Sequence, residues 1–103
     1  MNTYALEYSL NQPVAKQITV PLNSSYAVGI KLYKNGEPLS CETGELTVDG
    51  TEASGESAGY CVFALSSDGG TGIRRFDVSL DKDGERASFP LMVQQADFGY
   101  FDV

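Results

Sequence analysis

The stretch YCVFALSSDGGTGIRRFDVSLDKDGERASFPLMV, residues 60–93, decides the fold. Tyr60 to Leu65 is apolar throughout, with one cysteine. SSDGGTG (66–72) then turns the chain. From Ile73 to Leu80, Phe76, Val78 and Leu80 share one face, with Arg75, Asp77 and Ser79 on the other. DKDG (81–84) turns the chain again. Ala87, Phe89, Leu91 and Val93 then alternate with Arg86, Ser88 and Gln94. Period-two alternation closed by Asp-Gly turns is the pattern of half-buried antiparallel strands.

The same alternation continues outward. Tyr4, Leu6, Tyr8 and Leu10 face one way, opposite Ala5, Glu7 and Ser9. Val14 to Val20 reads as a second strand, with Lys16 marking an edge or a strand end. Tyr26 to Tyr33 is a third, its apolar face built from Tyr26, Val28, Ile30 and Leu32. Asn35-Gly36 supplies the two positive φ angles of a type I′ hairpin turn, which sets Leu39 against Leu32. Pro38 keeps the return strand short and near an edge. Leu46 and Val48 mark a brief strand over 45–48, and the polar stretch DGTEASGESAG (49–59) reads as a loop. Roughly eight short strands and no convincing helix predict an all-β, immunoglobulin-like antiparallel β-sandwich of about 7–8 strands. The expected organisation is one sandwich domain over 1–95, followed by an aromatic tail or last strand over 96–103.

A chain of 103 residues with 42% hydrophobic residues can bury one core. Its net charge of −7 repels nucleic-acid backbones and anionic lipid surfaces, so neither is an expected partner. MNTYALEYSLNQ has neither a basic segment nor an apolar run, so no signal peptide is expected. Cys41 and Cys61 have two readings: buried free thiols in a reducing compartment, which ranks first, and a disulfide between sheets.

The chain contains no histidine. That removes Ser-His-Asp and Cys-His machinery and histidine-ligated zinc. DGGTG (68–72) lacks the Lys-Ser/Thr of a phosphate loop, and a calcium loop through Asp81 and Asp83 would need a glutamate where Pro90 stands. The expectation is therefore no enzyme and no cofactor or metal. Of Arg74 and Arg75, one falls on the core side of its strand unless the strand bulges or starts later; an ion pair with Asp77 or a neighbouring acid is expected. Phe98, Tyr100 and Phe101 are costly to leave in water, since each ring carries about 150–250 Å² of surface. They form either the strand that closes the sandwich or an arm that anchors on a neighbouring subunit, with Tyr4 and Tyr8 as companions.

The order of elements from Val28 to Val93 resembles the amino-terminal immunoglobulin-like domain of phage baseplate upper proteins and related small phage structural proteins. The features that carry the resemblance are IKLYKNGEPLS (30–40), Leu46 to Val48 beside Asp49-Gly50, the glycine-led strand from Gly59 to Leu65, RFDVSL (75–80), the KDG turn (82–84) and FPLMV (89–93). The resemblance implies a non-catalytic structural or assembly protein of a phage or prophage particle: tail, baseplate, connector or decoration. It implies a virion location after assembly in the host cytoplasm. Other virion or assembly proteins and further copies of the chain would be its partners. Two alternatives differ in class: an acidic inhibitor that mimics nucleic acid, and a carbohydrate-binding β-sandwich module.

Overall fold

The computed structural model describes residues 2–11, 15–39, 45–82 and 84–97. Among them are ten strands in two open five-stranded sheets, stacked as a sandwich, and no helix. The first sheet holds β1 (Asn2–Ser9), β3 (Ser25–Lys34), β8 (Tyr60–Ser66) and β7 (Gly55–Ser57), side by side in that order. β4 (Glu37–Pro38) is added to the end of β3. The second sheet runs β2 (Lys16–Pro21), β10 (Glu85–Ala96), β9 (Gly72–Lys82), β5 (Leu46–Val48), β6 (Thr51–Glu52).

The alternation predicted the inward faces. Val28, Ile30, Leu32 and Phe63 from the first sheet meet Val78, Leu80, Phe89, Leu91 and Val93 from the second, all buried. Leu46 and Val48 fill one flank, Ile18 and Val20 the other. The Asn35-Gly36 turn has both φ angles positive, and the Leu39 N–H donates to the Leu32 carbonyl at 2.8 Å.

Three expectations are corrected. The sandwich is mixed rather than antiparallel: β1 runs parallel to β3, and β2 runs parallel to β10. Alternation tells a strand which face is apolar, but it says nothing about its neighbour's direction. Next, the stretch 49–59 is not one loop. Asp49-Gly50 and Ala58-Gly59 each place two consecutive residues at positive φ, the backbone of hairpin turns. Between them β6 and β7 lie in different sheets, so the segment crosses the sandwich. Their residues are exposed, so no apolar period marked them. Finally, Cys61 is disulfide-bonded, not a free thiol. The chain's other cysteine, Cys41, lies outside the described residues.

Arg74 stands in the core phase of β9, yet its side chain is half exposed. It lies where the sandwich ends, paired with the Asp68 carboxylate at 2.9 Å. Arg75 pairs with Asp77 at 3.2 Å, as expected for the other face. Asp68 also accepts from the Gly70 N–H at 2.9 Å and the Gln95 amide at 2.7 Å. The Gly70 and Gln95 hydrogen bonds, with the Arg74 charge, hold its carboxyl below the usual range. Gln95 is buried because its amide has these partners.

Among the described residues, Tyr8 and Tyr26 are the largest buried side chains, and neither hydroxyl has a hydrogen-bond partner. Tyr8 packs its ring on Phe89 at 5.0 Å, and burial pushes its phenol up to about 12. An unpaired buried hydroxyl costs about 1–3 kcal/mol. Tyr8→Phe is therefore expected to stabilise the fold by about 1 kcal/mol in chemical denaturation at pH 7. The unfolded phenol titrates near its ordinary value of 10, below the folded one. The unfolded state thus binds fewer protons between about pH 10 and 12, and wild-type stability falls as pH rises through that window. Tyr8→Phe should remove that part of the alkaline slope; an unchanged slope would assign it elsewhere.

Candidate contact surface

The outer face of the first sheet carries one ordered group of polar and aromatic side chains. Glu7 on β1 sits directly beside Lys31 on β3. Ile30 pairs with Cys61, so continuing that register sets Tyr60 of β8 beside Lys31. Glu7, Lys31 and Tyr60 thus form a row across three strands, with Tyr33 one step further along the same face of β3.

The contacts follow from that register. Tyr33 Oη donates to Glu7 Oε1 at 3.0 Å, and Tyr60 Oη donates to the same oxygen at 3.2 Å. Lys31 Nζ lies 5.4 Å from the centre of the Tyr60 ring and 5.9 Å from that of Tyr33, within cation–π range. Gly29 makes room for this arrangement: a Cβ there would stand 3.2 Å from Tyr60 Cβ. Both phenols are raised above their ordinary value. For Tyr33 the Glu7 hydrogen bond is the main cause; for Tyr60 it is desolvation, followed by the Glu7 charge. Both remain donors at neutral pH, so Glu7 stays clamped.

Such a group offers hydrogen bonds and amphipathic contact area. It contains no activated nucleophile, and its one carboxylate is a fixed acceptor. Tyrosines held in place offer large amphipathic contact area at low entropic cost, the property that enriches them in protein interfaces.

Of the residues singled out from the sequence, Tyr4 and Tyr8 fall elsewhere. Tyr4 is half-buried, edge-on to Tyr26 with centroids 6.1 Å apart. Tyr8 is 2% exposed, so its ring is committed to the core and offers a partner nothing. Phe98, Tyr100 and Phe101 lie outside the described residues. Sequence reading missed Tyr33 and Tyr60. For Tyr33 a signal existed, because alternation set it with Lys31 on the polar face. Tyr60 opens an unbroken apolar run whose phase could not be read.

Elsewhere, an open hollow of about 520 Å³ lies at the far end of the β9–β10 hairpin, lined by Leu80, Ala87, Asp81 and Arg86 among others. The Asp81 and Arg86 side chains face each other there at 3.7 Å. Among the described residues, no group of three or more His, Cys, Asp or Glu is placed to hold a metal ion. Compared with models of known protein families and with curated proteins, the chain matches none.

Proposed function

We infer that this chain is a non-catalytic assembly protein of a phage or prophage particle. It works as an immunoglobulin-like sandwich through contacts with other virion or assembly proteins. The observation that carries the contact role is the Glu7–Lys31–Tyr33–Tyr60 group, aromatic and pre-set on an outer sheet face. The particle role rests on the resemblance of the stretch from Val28 to Val93. The Cys61 disulfide is in keeping with a working place outside a reducing cell interior.

The two alternatives have less support. A sugar would need free aromatic faces, but Lys31 lies over both Tyr33 and Tyr60, and Tyr60 also packs on Gly29. A nucleic-acid mimic needs an array of free carboxylates, whereas Asp68, Asp77 and Asp81 are each paired with an arginine.

The test is incorporation. Particles purified from the host after induction should contain the chain in stoichiometric amount by mass spectrometry. Tyr33→Ala with Tyr60→Ala should lower its content at least tenfold, as expected when two interface tyrosines worth about 1–2 kcal/mol each are lost. The variant's melting temperature should change little, because both side chains lie on the outer face. A chain absent from purified particles ends the particle reading. Full incorporation of the double variant ends the role of the tyrosine face.

A further inference from the structure

The sheet edges of this protein are not equally protected. An edge strand presents a row of unpaired N–H and C=O groups, and proteins blunt such edges with shortness, proline or charge. β6 and β7 have two and three residues. β4 is two residues long and ends in Pro38. β2 is bounded by Lys16 and Pro21. β1 has eight residues, no proline and no lysine, and among the described residues nothing pairs with its outer side. Its one charge, Glu7, is drawn inward over the sheet by Tyr33 and Tyr60 and so does not guard the edge.

The register shows which groups are free. The Leu10 N–H donates to the Tyr33 carbonyl at 2.8 Å, continuing the parallel ladder of β1 on β3. Bonding residues alternate along a strand, so the even-numbered residues of β1 bond to β3. The N–H and C=O groups of Thr3, Ala5, Glu7 and Ser9 therefore point away from the sheet, and these residues are exposed or half-buried.

We propose that β1 pairs antiparallel with β1 of a second copy, joining the two first sheets across a two-fold axis. Setting Ala5 opposite the partner's Glu7, and Thr3 opposite the partner's Ser9, engages every free group of those four residues. It also keeps the two Glu7 side chains out of opposition, which a register centred on Glu7 would force together. The strand is thus complementary to itself in hydrogen bonding, with its one charge set opposite an alanine. The net charge of −7 opposes association at long range. That repulsion is screened at physiological ionic strength, where the Debye length is about 8 Å.

The proposal rests on reading the first sheet as a contact surface, but it fails separately. A monomer that still enters particles through Tyr33 and Tyr60 leaves that reading in place. Light scattering behind size exclusion should find a dimer of the full chain at physiological ionic strength. Ala5→Pro should yield a monomer with an unchanged melting temperature, since the lost N–H faces away from β3 and proline is tolerated on such an edge. Leu6→Pro removes a donor to β3 and should destabilise the fold. On the unaltered protein, amide exchange at Ala5 and Glu7 should slow as concentration rises into the dimer range. A chain that is monomeric up to about millimolar concentration, where association would be worth less than about 4 kcal/mol, overturns the proposal. So does a dimer that forms without protecting those amides.

Discussion

Phe89→Ala is expected to lower stability by about 3–5 kcal/mol, the usual cost of emptying a buried aromatic site. Phe89 is 1% exposed and lies at the centre of β10, paired across the ladder with Val78. Its ring carries the Tyr8 ring at 5.0 Å, so the substitution also strips Tyr8 of its stacking partner. The surrounding residues come from both sheets and are held by their ladders, so little collapse into the void is possible. For a domain of this size the loss corresponds to a fall in melting temperature on the order of 20 °C. Phe89→Leu, which keeps most of the volume, should recover much of it. A fall of only a few degrees for Phe89→Ala would mean that the two sheets close over the gap.

The second large effect concerns Cys61. It is 4% exposed on β8 and disulfide-bonded. Reduction, or Cys61→Ala, is expected to cost about 2–4 kcal/mol, mostly by freeing the unfolded chain from a covalent link. Thermal unfolding with and without reductant measures this directly. Thiol titration of the unfolded, unreduced protein should detect no free thiol, in keeping with the absence of a free cysteine among the described residues. A melting temperature that reductant leaves unmoved, with thiols shown to be reduced, would remove the link from the energetics of the fold.

The faces of the long hairpin were legible in the sequence, although β9 and β10 run past the expected ends to Lys82 and Ala96. Ala87, Phe89, Leu91 and Val93 alternate with Arg86, Ser88 and Gln94, and the structure places the first set inward and the second outward. The same reasoning already contained the fate of Tyr8. It shares a phase with Tyr4 and Leu6, an apolar face, so a place beside the aromatic anchors as their companion conflicts with its own strand pattern. Strand neighbours were not legible. Which strand lies beside β1, and in which direction, depends on contacts between residues far apart in the chain. The group at Glu7, Lys31, Tyr33 and Tyr60 exists only once β1, β3 and β8 are side by side. For the same reason β6 and β7 were invisible: they are held by backbone pairing and left-handed turns, with no buried side chains to write a period.

The parallel docking of β1 on β3 and of β2 on β10 has a consequence for biosynthesis. The opening segment of the chain is a clasp with one arm on each sheet, and Lys16 finds its neighbour only at Leu91. A nascent polypeptide emerging from the ribosome can dock β1 once β3 is made, but must carry β2 undocked until β10 has followed it out. Contacts of such long sequence separation slow folding and leave strands open to wrong neighbours in the meantime. The time between synthesis of β2 and of β10, and any chaperone that shelters β2 meanwhile, are thus expected to weigh on the yield of correctly closed molecules.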